Sequence, residues 1–280
     1  MKKLILPLIL LNMIGGIGSA IMLWLSNGEL LWLGTLLTTL PLPFLLIVLT
    51  NVFGIARTSA RLPIIHLLSI CGVILVGRSV YHAQELVESS LYVALLLAIF
   101  GAIFIQWFIW SYSSYGREKS KAIVKGQPLA ELQFTRLDNS KASSLSFNGS
   151  KTLLVFFRAN WCPFCMNQLK EVLARAELLS RLGVQVKFIS NQGIELSKQL
   201  TENLSLPAHF EILQDDDLTS AKALGIADIG GTPAGMSAYP EDTVMATVIT
   251  LDEKGIVTFG DETDNYRVRP HPDTFLPVFS

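Results

Sequence analysis

Hydrophobic positions along the 280 residues follow two regimes. Up to about Trp110 they run in long, almost unbroken blocks. Beyond it they come in short runs separated by polar turns. A helix that crosses a bilayer needs roughly 20 mostly apolar residues. Four stretches meet that length, approximately 4–25, 30–50, 62–81 and 90–110. Lys2 and Lys3 before the first block imitate a secretion signal, but no small-residue cleavage site follows, so it reads as a retained helix. Asn12, Gly15, Gly16, Gly18, Pro41 and Pro43 interrupt the first two blocks, as breakers do where membrane helices kink or pack closely. Trp24, Trp32, Trp107 and Trp110 stand near the expected ends, where amphipathic rings favour the headgroup layer.

After Trp110 the periods shorten. Residues 111–127 are polar and basic. Runs at 132–137 and 144–147 around Asp138-Asn139 predict a hairpin. The continuous apolar run at 152–158 suits a fully buried strand. Helical spacing over 163–182 then ends at Gly183, and 184–190 predicts the next strand. A helix over 194–204, a strand near 209–213 and a helix over 217–224 follow. A hairpin of 244–251 with 255–259 and a terminal helix over 272–279 complete the order. Within it, Asp215, Asp216 and Asp217 read as a helix N-cap cluster.

Composition sharpens this division. The chain is 50% hydrophobic and 16% charged, with a mean hydropathy of +0.45. Residues 1–111 hold five basic and three acidic side chains, among them Arg78, Glu29, Glu85 and Glu88, which leaves 17 basic and 20 acidic for the remainder. A single soluble domain is excluded, and so is a strongly basic nucleic-acid binder. Three cysteines exclude a disulfide-stapled scaffold. The expected organisation is a four-helix transmembrane region over 1–111, a basic juxtamembrane linker over 112–126 and an α/β domain over 127–280. With four spans, one side of the membrane carries Lys2, Lys3, Arg57, Arg61, Arg117, Lys119, Lys121 and Lys125, and the other only Arg78. Basic loops stay cytoplasmic, so the α/β domain is expected there; if one of the four segments did not cross, the domain would lie on the other side. His66, Cys71, Arg78 and Gln106 are the polar candidates of the apolar part, which reads as an anchor.

The one strong chemical signal is Trp161-Cys162-Pro163-Phe164-Cys165 between a strand and a helix. Two cysteines three apart on a first helical turn share a face and can close a disulfide. Proline at the first helical position costs no hydrogen bond, and the helix start stabilises a thiolate. Cys162 and Cys165 are the candidate catalytic pair. Zinc would need two further ligands, yet Cys71 lies in an apolar block and His209 and His271 stand alone. No metal and no cofactor are expected.

The segment FFRANWCPFCMNQL (156–169) resembles the redoxin branch of the thioredoxin-like superfamily, the alkyl-hydroperoxide-reductase and thiol-specific-antioxidant group, and in particular its peroxiredoxin-like members. The stretch 242–276, with its Asp264-x-Tyr266-Arg267-x-Arg269-Pro270 run, is similar as well. The resemblance covers about 127–280 and implies a thioredoxin-like fold with a dithiol–disulfide cycle. Two role assignments follow from it. As a disulfide reductase, Cys162 attacks and Cys165 resolves; as a peroxidase, Cys165 attacks a peroxide and condenses with Cys162. Both stay open at the level of sequence.

Ala246 occupies the position where relatives carry a cis-proline or an active-site arginine, and it implies a trans peptide and a missing cation. Arg158 is a candidate substitute for that cation. Trp161, Pro163, Ala246 and Thr247 complete the supporting candidates. Gly231-Thr232-Pro233 reads as loop, and the Asp264–Arg269 run as an ion-paired turn. The expected protein is a bilayer-anchored thiol oxidoreductase of the bacterial inner-membrane type. Its partners would be a thiol reductant and a disulfide or peroxide substrate, with no nucleic acid. The alternative is a membrane-tethered redox sensor or binding module on a weakened redoxin fold.

Overall fold

Long apolar blocks and short alternating runs separate in space as they do in sequence. The structure, a computed structural model, describes residues 2–82 and 89–280; Met1 and 83–88, with Glu85 and Glu88, lie outside the described residues. Two compact units form. One joins Lys3–Ile55 with Ser59–Ser114, and the other joins Ala56–Thr58 with Tyr115–Ser280.

The first unit contains α1 (Ile5–Leu25), α2 (Leu30–Thr39), α3 (Pro41–Val52), α4 (Pro63–His82) and α5 (Ser89–Tyr112). Three of these, α1, α4 and α5, are long and apolar enough to cross a membrane. The expected second span is instead the pair α2 and α3, bent by 41° at Leu40–Pro41, so a fourth crossing requires that this pair count as one. Pro41 cannot donate to the preceding turn, which accounts for the break. Small residues let the helix backbones meet: a Cβ on Gly34 would come within 2.7 Å of the Gly72 carbonyl oxygen, the kind of contact that packs helices where no hydrophobic drive exists.

The second unit is a seven-stranded mixed sheet. Its strands are β1 (Gln133–Arg136), β2 (Lys141–Ser143), β3 (Lys151–Phe156), β4 (Val184–Ser190), β5 (Phe210–Gln214), β8 (Thr247–Leu251) and β9 (Val257–Asp261), in the order β2-β1-β5-β4-β3-β8-β9. A separate ribbon pairs β6 (Ala227–Asp228) with β7 (Thr243–Val244). Strands β3, β4 and β5 run parallel, and the others pair antiparallel. Central β3 is buried from Thr152 to Phe156 because both faces of the sheet are covered, which explains its unbroken apolar sequence. Leu154, Phe156, Ile189, Leu213 and Ile249 sit in one core cluster.

Helix α6 (Pro163–Leu173) and helix α7 (Ala176–Arg181) replace the single helix expected over 163–182. At the junction the Arg175 amide bonds to the Val172 carbonyl, three residues back, and its guanidinium pairs with Asp273. Helices α8 (Ile194–Leu204), α9 (Thr219–Ala223) and α10 (Pro272–Phe275) follow. The second strand of the first hairpin lies at 141–143 rather than 144–147. Ser143 accepts from the Leu145 amide and starts a 3-10 turn there, which diverts the chain out of the sheet. Asp215 accepts from the amides of Ser220 and Ala221 at the start of α9, the capping role its sequence suggests.

Candidate active site

Strand β3 ends at Phe156, and the Phe157 amide still bonds to the Ile189 carbonyl. The chain then turns into α6 with Pro163 in its first turn and Cys162 as the N-cap. The Cys162 sulfur accepts from the Cys165 amide at 3.4 Å. Both cysteines are free thiols and buried, at 1% and 0% exposure. Cys71 is exposed, in α4 of the other unit.

The two sulfurs differ in what reaches them. Cys165 Sγ accepts from the Arg158 backbone amide at 3.4 Å and from Arg269 Nη2 at 3.3 Å. Arg269 Nη2 is farther from Cys162 Sγ, at 3.7 Å. Burial opposes ionisation of Cys165 most strongly. It is outweighed by the Cys162 thiol donating to it, the Arg269 charge, the Arg158 amide and the Arg158 charge, which together hold Cys165 down to about 5. Cys162 goes the other way. Burial, its role as donor to Cys165, and the neighbouring negative sulfur push it well above its ordinary value. These causes favour a negative charge on Cys165 over one on Cys162.

Arg269 is held on every side. Its Nη1 donates to Gln168 Oε1 at 2.9 Å, one turn along α6 from Cys165, and its Nε donates to the Tyr266 carbonyl at 3.0 Å. A cation thus stands beside Cys165, and it comes from the tail. The reading of Asp264–Arg269 as only an ion-paired turn is replaced for Arg269, whose partners are sulfur, amide and carbonyl. Arg158 serves the sulfur through its main-chain N–H. Its guanidinium, 4% exposed, donates to the Gly231 carbonyl, lies 3.6 Å from the Asp228 carboxylate, and stacks 4.6 Å from the Trp161 ring centre. Gly231-Thr232-Pro233 is loop, as expected, and its Gly231 carbonyl anchors Arg158.

Ala246 and Thr247 sit at the start of β8, where no cis peptide occurs among the described residues. The Ala246 amide donates to Tyr115 Oη at 3.0 Å, and Arg117 Nη1 donates to Thr247 Oγ1 at 3.0 Å. Burial pushes the Tyr115 phenol up to about 12, against the opposing charges of Arg158 and Arg269, so it stays neutral. Two residues of the polar segment after Trp110 thereby line the site. Sequence periodicity gave no sign of this, since 115 and 117 lie in no regular element. A crevice bordered by Gln168, Ala246, Thr247, Val268 and Arg269 adjoins the site.

Residues 125–259 match the family model described as AhpC/TSA family. No curated protein sequence matches. Among solved structures the chain is similar to peroxidoxin BcpB from Mycobacterium tuberculosis, at 15% identity and a TM-score of 0.46, over 58% of this chain and 97% of that one. It is also similar to reduced Prx3 from Vibrio vulnificus in complex with H2O2, at 21% identity and a TM-score of 0.47, over 56% and 99%. A third likeness is the thiol peroxidase from Chromobacterium violaceum, at 14% identity and a TM-score of 0.45, over 57% and 87%. Over residues 125–259 the second unit is thus similar to the AhpC/TSA family, and its mixed sheet carries the cysteine pair at a strand-to-helix turn.

Proposed function

We propose that the chain is a membrane-anchored thiol peroxidase in which Cys165 attacks the peroxide and Cys162 resolves. The observation that carries this reading is the convergence of Arg269 and the Arg158 amide on Cys165 Sγ. A reductase of the opposite polarity would need its thiolate on Cys162, where burial and the Cys165 charge oppose it.

The Cys165 thiolate attacks one peroxide oxygen, the O–O bond breaks, and the other oxygen takes up a proton and leaves as an alcohol or water. Cys165 becomes a sulfenic acid. The Cys162 sulfur then attacks that of Cys165, an S–S bond forms, and water departs. An external dithiol exchanges with the disulfide, becomes oxidised itself and restores both thiols. Arg269 keeps its charge throughout, buried between the sulfurs and Gln168. It is placed to stabilise negative charge on the attacking sulfur and on the departing oxygen.

Membrane anchoring rests on the three or four apolar helices, and the cytoplasmic side on the bent pair counting as a fourth crossing, which gives the eight-to-one distribution of basic residues. The test is single-turnover reaction of the full chain with H2O2. Cys165→Ser is expected to abolish it. Cys162→Ser is expected to keep the first oxidation and to accumulate a sulfenic acid on Cys165 that a dimedone-type probe captures. Retained peroxide reaction in Cys165→Ser, with loss in Cys162→Ser, would overturn the assignment.

A further inference from the structure

The second unit takes in chain from outside its main run of Tyr115–Ser280, and one such stretch, Ala56–Thr58, comes from between two apolar helices. Ala56 is 3% exposed. The Thr58 amide donates to the Arg267 carbonyl at 3.0 Å, and Arg267 Nη1 returns a bond to Thr58 Oγ1 at 2.6 Å. Arg57 makes the consequential contacts. Its Nε donates to the Arg269 carbonyl at 3.2 Å, while its two terminal nitrogens grip Glu171 in a bidentate pair. Glu171 lies on α6, the helix that also carries Cys165 and Gln168.

One guanidinium therefore ties the backbone of Arg269 to the helix of Cys165, and the other guanidinium, that of Arg269, bridges the same two elements inside. We propose that Arg57 is a positioning residue of the peroxide-reactive centre: it fixes the tail segment against α6 at the position that presents Arg269 to Cys165 Sγ. This inference rests on the peroxidase reading for its meaning, but its geometry is independent of it. A bidentate arginine–carboxylate fork sets orientation as well as distance, and a hydrogen bond to sulfur weakens steeply as its angle opens. A simple surface ion pair would have no route to the sulfur. Here the same side chain also bonds to the main chain of the residue that touches it.

The groups that face Cys165 are Cys162 and the Arg158 amide from its own loop and helix, Arg269 from the tail, and, at longer range, the Arg158 guanidinium and Tyr115. Arg57 and Glu171 act on this set only through Arg269 and α6.

The experiment follows alkylation of Cys165 by iodoacetamide in the full chain in detergent, read on the Cys165 peptide by mass spectrometry as a function of pH. Arg57→Ala is expected to move the midpoint upward by about one unit, slowing the reaction about tenfold below the wild-type midpoint while leaving the high-pH plateau unchanged. Glu171→Gln breaks the fork from the other side and is expected to shift the midpoint in the same direction; it also serves if Arg57→Ala does not fold. An unmoved midpoint in whichever variants fold overturns the inference. A wild-type midpoint near the ordinary cysteine value of about 8.5 would instead sink the peroxidase reading, so the two failures are distinct.

Discussion

The two units bury opposite things. Among the described residues, all but three of the large exposed hydrophobic side chains lie at or before Trp110; Val124, Leu145 and Ile229 are the exceptions. Inside the first unit sit Ser19, Thr35, Thr38, Thr39 and Thr50. Their hydroxyls donate to carbonyls three or four residues back, as Ser19 does to Gly15 and Thr50 to Leu46, and Thr35 also reaches another helix, at the Ala94 carbonyl. In the second unit the apolar side chains are inside, and beside buried hydroxyls and amides it also buries arginines, thiols and carboxylates. Their partners are far away in sequence: Arg158 with Gly231 and Asp228, Arg269 with Cys165 and Gln168. A buried polar group satisfied by its own helix is a packing device, because it needs nothing from elsewhere. One satisfied from distant segments requires the whole fold to hold it, and that expense is concentrated where the chemistry is.

The strongest way to break this comparison is to put the same charge on the outer surface of each unit. Leu96 in α5 is 66% exposed and Leu145 is 54% exposed. If the first surface faces lipid, Leu96→Asp costs about 3 kcal/mol of insertion free energy. It should then sharply lower the membrane-integrated fraction in a translocation assay. Leu145→Asp faces water in either case and should change thermal stability by no more than about 0.5 kcal/mol. Unchanged integration of Leu96→Asp would mean that the outward apolar face meets something other than lipid.

A second contrast concerns the interiors. Arg269→Met keeps most of the volume but removes the charge beside Cys165. Its thiolate would move from about 5 towards the ordinary value of about 8.5, and the rate of peroxide reaction at pH 7 should fall by up to about 30-fold. Thr39→Val in the apolar unit removes a hydroxyl bonded only within its own helix. It should cost about 0.6 kcal/mol and leave that rate unchanged. Equal effects on the rate would erase the distinction between packing and site polarity.

What sequence could reveal follows from the same distinction. Local signals were legible: the apolar blocks, β4 at 184–190, α8 at 194–204, and the Cys162–Cys165 pair with its proline. Each is written within one turn or one strand. The cation was not placed, because Arg269 stands 104 residues from Cys165 and no periodicity relates them. Arg158 is near in sequence and attracted that role, yet its side chain turns to Asp228 and Trp161. Gln168 belongs to the motif that carried the family resemblance, but its task of orienting Arg269 shows only in three dimensions. Arg57 read as one of eight positive loop charges. Tyr115 lay in a stretch whose polarity suggested a linker, and only its bond to Ala246 gives it a place in the site.

The smallest expected effect tests the charge asymmetry of the pair without any substitution. Cys165 is depressed to about 5 in the folded dithiol and returns to about 8.5 when unfolded. Between those values the unfolded chain binds a proton that the folded one does not, so stability rises with pH. That contribution is lost as pH falls through about 5. Cys162 is raised in the folded dithiol, so its contribution has the opposite sign. It is fully present below about 8.5 and is lost as pH rises beyond that value, where the unfolded thiol ionises and the folded one does not. The dithiol should therefore gain thermal stability relative to the disulfide from about pH 5 upward, reach a maximum near pH 8.5, and lose stability above it. The disulfide form has neither titration and serves as the internal reference. Melting temperatures of both forms at constant ionic strength measure the difference. A flat dithiol-minus-disulfide difference between pH 5 and 8.5 would show that the inner sulfur carries no stabilised charge, and the second unit would then bury its thiols for packing, as the apolar unit buries its hydroxyls.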